Sequence, residues 1–311
     1  MEFINPKINI DFVSKRYWAF AISGLLLLIS LFSLATRGLN FGLDFSGGAV
    51  MQVRFPGPAP VHDIRVALGE IGLGAAVIQE FGAPEEILIR IHQAHQEGQD
   101  GQTASKMAQK IVDTLNPLSG ASGKVELRRV EFVGPQVGHE LTVNGIWAVV
   151  YSWLAILVYV GVRFEFRFAF GAVLSLIHDV FLILGFFAFT QKEFSLVVVA
   201  AVLTVIGYSI NDTIVVFDRI RDETKRLRNQ PLEVIINEAT NRTLGRTINV
   251  SLTVVLVLLA LYFYGGEVIH DFSVALLLGV VIGTWSSIYV ASPTVLLFEH
   301  WKLARQAKVG S

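Results

Sequence analysis

Six long apolar stretches dominate the pattern of hydrophobic and polar positions along the chain. A helix needs about 20 apolar residues to cross the ~30 Å hydrocarbon core of a bilayer, and each stretch reaches that length. The pattern therefore predicts an α-helical integral membrane protein with six transmembrane helices. The predicted spans are residues 17–36, 141–162, 168–190, 194–217, 247–266 and 272–298.

Ionisable side chains interrupt only two of these spans. His178 and Asp179 lie midway along the third, and Asp212 lies in the fourth, whereas the other four spans contain no charged residue. Placing an Asp at the centre of a membrane helix costs roughly 2.5 to 3.5 kcal/mol on insertion scales. Such residues usually face a polar interior, so these three are the first candidates for function.

A long segment between the first two spans, residues 37–140, has the pattern of a folded domain. Its apolar positions predict strands at 49–55, 75–81, 87–92 and 124–132 and helices at 61–71 and 103–115. The order is β-α-β-β-α-β, the split pattern of an α+β ferredoxin-like sandwich. Because the chain has no cysteine, we expect this domain to fold by burying its own apolar surface.

Basic residues are distributed unevenly between the two sides of the predicted membrane. If the six spans alternate in direction, the short loops of one side hold only Lys192. By the positive-inside rule the other, basic side is cytoplasmic, so both termini are cytoplasmic and residues 37–140 are outside. The basic residues on the cytoplasmic side are Lys7, Lys15, Arg16, Arg163, Arg167, Arg219, Arg221, Lys225, Arg226, Arg228, Arg242, Arg246, Lys302, Arg305 and Lys308.

These predictions divide the chain into five parts. They are a cytoplasmic N-terminal segment (1–16), the first span (17–36), the extracytoplasmic domain (37–140), the other five spans (141–298) and a cytoplasmic tail (299–311). Residues 218–246 are predicted to form a cytoplasmic loop in which a short amphipathic helix, 232–240, follows Pro231. A cleaved signal peptide is the alternative for 17–36, but its apolar region would be shorter, roughly 7 to 15 residues.

Composition and motifs narrow the function classes. The chain is 53% hydrophobic and 16% charged, which is too apolar for an ordinary soluble domain of 311 residues. It has no phosphate-binding Gly-rich loop, no HExxH and no cysteine, so we expect no catalytic residue, metal, cofactor or nucleic acid partner. His92 and His95 have an H-x-x-H spacing, but their polar surroundings favour exposed side chains.

The polar cluster at 207–213 of the fourth span is the most specific candidate site. Arg246, at the start of the fifth span, is the natural countercharge for Asp212. Loss of water favours the neutral carboxyl and a nearby arginine favours the charged one, so small movements of the arginine could load or release a proton. A static pair that fixes helix packing remains open, and His178 with Asp179 has the same two interpretations, a proton relay or hydrogen bonding between helices.

Small residues line part of the sixth span. Gly279 and Gly283 are four residues apart, and Thr284, Ser286 and Ser287 extend the same small-residue surface. Small side chains allow helix backbones to approach closely within a membrane. The pattern therefore predicts a close helix packing surface.

Several motifs resemble the SecD/SecF family of protein-export membrane proteins. GLDFSGG at 42–48 is similar to a motif shared by both branches of that family, and VGPQVGHEL at 133–141 resembles their entry to the second span. GYSINDTIVVFDRIRDE at 207–223 resembles the SecF branch specifically. The segments 241–247 and 272–293 and the triplet 178–180 are also similar to that branch, so the motifs follow the family order over nearly the whole chain.

The resemblance implies one six-helix half of a resistance-nodulation-division fold in the bacterial inner membrane, with SecD supplying the other half and a partner aspartate. It implies that the family's complex uses the proton-motive force at the SecYEG channel to promote late steps of preprotein export. SecA would drive the early steps, and YajC is a further candidate partner. The residues to which it assigns proton coupling, together with their polar neighbours, are Asp212, Arg246, Asn211, Asp179 and His178.

The resulting hypothesis is that protonation of Asp212 weakens its pairing with Arg246 and moves the fourth and fifth spans. The outside domain would then swing about a hinge, for which an ordinary tight connection into the first strand is the alternative. The predicted hinge residues are Gly42, Asp44, Gly47 and Gly48. Two other functions are a half-size proton-driven efflux transporter and a purely structural assembly subunit.

Overall fold

The computed structural model describes residues 9–91 and 101–309 of the chain. The helices are α1 (Arg16–Thr36), α2 (Leu43–Ser46), α3 (Val61–Glu70), α4 (Gly101–Leu115), α5 (Pro135–Arg163), α6 (Phe166–Thr190), α7 (Leu196–Arg226), α8 (Leu232–Tyr264), α9 (Glu267–Ser286) and α10 (Ser292–Val309). A 3₁₀ turn (Asn116–Ser122) follows α4, and a π-helical turn (Ser287–Ala291) joins α9 to α10. The strands are β1 (Asn40–Phe41), β2 (Gly48–Arg54), β3 (Val77–Phe81), β4 (Ala83–Ile91), β5 (Glu126–Val133) and β6 (Glu193–Phe194).

Within the described residues, six helical stretches are long and apolar enough to cross a membrane. They correspond to the six predicted spans, and α9, the π-helical turn and α10 together form the last of them. The prediction of a six-span helical membrane protein is confirmed. The helices run beyond several predicted ends, because a helix continues into polar sequence at the membrane surface where its backbone remains hydrogen bonded.

The predicted cytoplasmic loop at 218–246 is wrong in its secondary structure. Helix α7 continues to Arg226, and α8 runs without a break from Leu232 to Tyr264. The predicted short helix at 232–240 is therefore the first part of α8, and only 227–231 connects the two long helices. Buried apolar positions such as Ile220 and Ile236 allow both helices to extend, since they pack inward despite the charged residues around them.

The chain divides into two compact units, one of which is Phe41–Gly145. Its sheet has four antiparallel strands in the order β3-β4-β2-β5. The element order from β2 to β5 is the predicted β-α-β-β-α-β, so the ferredoxin-like fold is confirmed. Strand β3 begins two residues later than predicted, and β4 begins four residues earlier than predicted, so that only Gly82 separates them.

The core of this unit lies between the sheet and helices α3 and α4. Alternate side chains of β2 and β4 point inward, as expected for a sheet with one buried face. The helices contribute residues at three- and four-residue spacing. The largest fully buried side chains of this core are Met51, Ile64, Leu68, Ile87, Ile89, Ile111 and Leu115.

The other unit, Met1–Asn40 with Ile146–Ser311, is built around α6, α7 and the last span. In the most apolar 18-residue stretch of α6, 61% of the residues are buried within the chain. The corresponding share is only 6% in α5 and 11% in α8. Helices α5 and α8 thus present long apolar surfaces that this chain does not cover.

Glycines set the closest approaches between helices of this unit. A Cβ on Gly279 of α9 would overlap the side chain of Val205 on α7, and one on Gly283 would lie 3.1 Å from Ser209 Cβ. The predicted close packing surface is therefore confirmed. A Cβ on Gly185 of α6 would likewise overlap Ser30 of α1.

The segment before α1 is held against α8 by two asparagine side chains. Asn241 exchanges two hydrogen bonds of 2.8 Å with the backbone of Ile10, and Asn237 Oδ1 accepts a bond of 2.8 Å from the Phe12 amide. Phe12 is buried beside Leu244. These contacts attach the start of the first span to the helix that carries Arg246.

Candidate functional site

A buried carboxylate joins three helices of the membrane unit. Asp179 on α6 is 1% exposed, and its Oδ2 accepts hydrogen bonds from Ser209 of α7 at 2.6 Å and from Ser286 of α9 at 2.9 Å. Its Oδ1 lies 3.0 Å from Nδ1 of His178. Asp179 can fill this position because hydroxyl groups from two neighbouring helices replace the water that it loses.

His178 is also buried, at 4% exposed. Its Nδ1 is directed at Asp179, whereas its Nε2 has no hydrogen-bond partner among the described residues. A hydrogen bond from Nδ1–H to a carboxylate leaves Nε2 as the basic atom of a neutral imidazole. This nitrogen is therefore the atom at which the His178 side chain could take up a proton.

Asp212 lies on the same helix as Ser209, three residues further on. The side chain is 6% exposed, and its Oδ1 accepts a hydrogen bond of 3.2 Å from the Thr247 hydroxyl of α8. Its Oδ2 is buried and has no partner among the described residues. An unpaired buried carboxylate oxygen is costly, which makes it a suitable position for a proton.

The structure does not form the direct pair predicted between Asp212 and Arg246. Both residues lie in the described chain, yet no ion pair joins them, and the side chain of Arg246 is exposed. Thr247 takes the position that faces α7, and consecutive residues on a helix point about 100° apart. Arg246 therefore lies beside the Asp212–Thr247 contact without closing on the carboxylate.

Asn211 does not join the buried site. Its side chain is exposed, whereas Asp212 and Thr213 beside it are buried. The one-residue step turns the amide to another face of α7. Of the five predicted residues, His178, Asp179 and Asp212 are in the interior, and Arg246 and Asn211 are on the surface of this chain.

A second set of hydroxyl groups joins α7, α8 and α9. The Tyr208 hydroxyl donates to Ser251 Oγ at 3.1 Å, and Ser251 lies 2.8 Å from Thr284 Oγ1. The sequence prediction missed Ser251, as it missed Thr247 and the pairing of Ser286 with Asp179. Isolated hydroxyl residues in an apolar helix carry no sign of their partners, which come from other helices.

The local backbone conformation explains the two final glycines of the GLDFSGG segment. Gly47 and Gly48 have φ angles of 68° and 133°, which other residues rarely adopt. Gly48 begins β2 opposite Val133, and a Cβ there would overlap the carbonyl oxygen of Ile91. Gly42 precedes the four-residue helix α2, which contains Asp44. A tight connection into the sheet accounts for both terminal glycines.

In the described part of the chain, no group of three or more His, Cys, Asp or Glu side chains is placed to hold a metal ion. His92 and His95 lie outside the described residues. The polar groups of the site are the carboxylate, imidazole and hydroxyl side chains described above, of which the carboxylates and the imidazole can bind a proton.

Two family models match the chain. Residues 114–301 match the C-terminal region of the protein export membrane proteins SecD/SecF, and residues 32–55 match the SecD/SecF GG motif. Among similar proteins are the protein translocase subunit SecF of Magnetococcus marinus, 56% identical over 96% of this chain and 95% of its own, and that of Calditerrivibrio nitroreducens, 44% identical over 96% and 97%.

The fold is similar to a crystal structure of SecDF, a translocon-associated membrane protein from Thermus thermophilus. The TM-score is 0.82 at 33% identity, with 96% of this chain covered but only 40% of the SecDF chain. A structure of SecDF in a super-membrane-facing form gives a TM-score of 0.72 at 34% identity, covering 99% of this chain and 41% of the other. The present chain thus spans less than half the length of those SecDF proteins.

Proposed function

The chain belongs to the SecD/SecF family of protein export membrane proteins, and from this we propose that it is an accessory subunit of the Sec protein translocase. With SecD it uses the proton-motive force to promote late steps of preprotein export across the bacterial inner membrane. It works as a coupling subunit and not as a hydrolase. The observation that carries the proposal is Asp212, a buried carboxylate whose Oδ2 lacks a partner among the described residues.

Proton binding at Asp212 changes the contact between α7 and α8. Hydrogen bonds to a charged acceptor are about twice as strong as those between neutral groups, so protonation weakens the bond from Thr247. It also removes the negative charge that attracts Arg246. A proton that crosses 100 mV supplies about 2.3 kcal/mol, enough to bias a helix rearrangement but not to unfold an exported chain in one step.

The His178–Asp179 pair is a second proton-coupling element in this proposal. Because Ser209 donates to Asp179 and lies one turn before Asp212, a change at Asp179 alters the part of α7 that carries Asp212. The unpaired Nε2 of His178 supports a relay. Hydrogen bonding that only holds α6, α7 and α9 together is the alternative.

Gly42, Asp44, Gly47 and Gly48 are proposed to act as the hinge of the outside domain. The positive φ angles of Gly47 and Gly48 support this, because glycine tolerates the backbone changes that a hinge undergoes. The tight connection into β2 is the competing explanation. A hinge requires the segment to adopt a second conformation during export.

The proposed arrangement has both termini in the cytoplasm and residues 37–140 outside, as the distribution of basic residues indicates. SecD supplies the other half of the fold and the partner aspartate, and the pair acts at the SecYEG channel on preproteins whose early export SecA has driven. YajC is a further proposed partner. The large uncovered surfaces of α5 and α8 support a membrane partner.

The proposal is tested by exporting a stalled preprotein into inverted membrane vesicles with and without a proton gradient. Asp212→Asn and Arg246→Met are compared with the wild type at equal abundance of the complex. Asp218→Asn and Arg221→Met are controls that make the same two kinds of substitution. Both residues are exposed on α7, the helix that carries Asp212. We expect stimulation by the gradient to disappear in the first two variants and to persist in the controls.

The same assay separates the other candidate functions. Persistent stimulation in Asp212→Asn would mean that the residue only packs helices, and the coupling mechanism would then be wrong. A subunit that acts only in assembly would tolerate both neutralised residues if the complex formed. A half-size efflux transporter would lose drug resistance while export remained normal.

A further inference from the structure

A third buried carboxylate lies at the loop end of the α7–α8 hairpin, away from the site described above. Glu223 is 2% exposed. Its Oε1 is 2.9 Å from Arg219 and 3.4 Å from Arg242, and its Oε2 is 2.6 Å from Arg226. Arg219 and Arg226 are on α7, whereas Arg242 is on α8. One carboxylate therefore binds three guanidinium groups and joins both helices.

Glu238 of α8 extends this network. It lies 2.7 Å from Arg242 and 3.6 Å from Arg226, so the bridge between the helices is made from both sides. The arginines are partly exposed, but Glu223 is not. A buried carboxylate needs several donors to replace its lost water, and three arginines provide them. The network ties together the two helix ends on either side of the connection at 227–231.

The position of this network relates it to Asp212. On α8, Arg242 precedes Arg246 by four residues, which is about one turn or ~6 Å along the axis. Thr247, the hydrogen-bond partner of Asp212, follows immediately. The two helices are thus joined by charge at Glu223–Arg242, by a hydrogen bond at Asp212–Thr247 and, further along, by the bond from Tyr208 to Ser251.

These two contacts differ in how they respond to a proton. The Asp212–Thr247 contact has one hydrogen bond and an unpaired oxygen, whereas Glu223 is bound by three permanently charged groups. When Asp212 takes up a proton, the contact beside it loosens and the one at Glu223 remains. The end of α8 that carries Arg242 therefore stays attached to α7.

We propose that Glu223 is a positioning residue for proton coupling: through Arg242 it fixes the loop end of the α7–α8 hairpin and so holds Arg246 beside Asp212. Neither Glu223 nor Arg242 touches the proton. The inference rests on the proposed function, because it gives Glu223 a role only if Asp212 and Arg246 couple the gradient to export.

The test uses the vesicle export assay with the intact complex. Glu223→Gln removes the charge while it keeps the shape of the side chain, and Glu223→Asp keeps the charge. Arg242→Gln removes the bond from α8 to Glu223 but leaves Glu223 with Arg219 and Arg226, and Arg226 with Glu238, so it preserves folding if Glu223→Gln does not. Asp222→Asn is the matched control, because Asp222 is its exposed neighbour on α7.

At equal abundance of the complex, we expect Glu223→Gln and Arg242→Gln to lose most of the gradient stimulation and to retain export driven by ATP alone. Glu223→Asp, which keeps the charge, should retain the stimulation that Glu223→Gln loses, and Asp222→Asn should not change it. A purely structural role would lower both kinds of export together, and that result would overturn the inference.

The Asp212→Asn variant in the same experiment separates the two proposals. If Asp212→Asn abolishes stimulation but Glu223→Gln and Arg242→Gln leave it intact, the positioning role of Glu223 is wrong and the proposed function stands. If Asp212→Asn keeps full stimulation, the proposed function fails first.

Discussion

At the scale of single residues, the buried carboxylates Asp179 and Asp212 of the membrane unit differ in their partners. Asp179 has donors for both carboxylate oxygens, whereas Asp212 has a donor for one of them. A carboxylate with hydrogen-bond donors for both oxygens is suited to holding neighbouring helices together. A carboxylate with one unpaired oxygen is suited to gaining and losing a proton. This difference is why the coupling proposal is centred on Asp212.

Asp179 offers a test of its role in holding the helices together. Asp179→Leu removes the acceptor for Ser209 and leaves that hydroxyl buried without a partner, which we expect to lower the free energy of unfolding by about 1–3 kcal/mol. Asp179→Asn retains a carbonyl acceptor and should cost less. Equilibrium denaturation of the purified protein in mixed micelles measures both. Greater stability of Asp179→Leu would show that burying the charge costs more than its hydrogen bonds return.

At the scale of elements, the helices of the membrane unit meet through small residues and hydroxyl groups. Gly279 lets α9 approach α7 at Val205, and the polar contacts of Ser209 and Tyr208 lie on the following turns of α7. Close backbones are needed for these short side chains to reach one another. Packing and polar contacts therefore depend on the same glycines.

Alanine substitutions test this dependence. Gly279→Ala places a methyl group on the side chain of Val205, and overpacking of this kind typically costs about 1–3 kcal/mol. Gly207→Ala on α7 is the control, since no atom lies within 4 Å of its added Cβ. Thermal unfolding in detergent should show a lower midpoint for Gly279→Ala only. Equal effects of both would contradict the packing described for α7 and α9.

The α7–α8 hairpin shows how charged sequence can mislead at this scale. Residues 218–246 contain many residues of both signs, a pattern that favoured a surface loop. In the structure those charges pair across the two helices, with Glu223 buried among arginines. Opposite charges that satisfy one another allow a helix to continue where unpaired charges would face water.

At the scale of the whole molecule, the chain exposes much of its apolar surface. Within the chain, only 6% of the most apolar 18-residue stretch of α5 is buried, and only 11% of that of α8. Lipid can cover such surfaces, and so can a membrane partner.

The orientation of the chain can be tested directly because it contains no cysteine. Lys110→Cys, in the ferredoxin-like domain, and Arg228→Cys, between α7 and α8, place single thiols at exposed positions. A maleimide that cannot cross membranes should label Lys110→Cys in intact spheroplasts and Arg228→Cys only after lysis. The reverse pattern would contradict the positive-inside assignment.

Some properties of this protein were determined by the sequence alone. The number of spans and the order of strands and helices in the ferredoxin-like domain follow from local hydrophobic periodicity, which does not depend on distant residues. The burial of Asp179 and Asp212 in membrane helices follows from their apolar neighbours. These features are encoded within one element at a time.

The tertiary structure decided which groups meet. It brings Ser209 and Ser286 to Asp179, places Thr247 instead of Arg246 against Asp212, and turns a predicted loop into two helices joined at Glu223. Each contact joins residues from different helices, and its existence depends on the rotation and crossing of those helices. Such quantities are set by packing, for which one sequence contains no local signal.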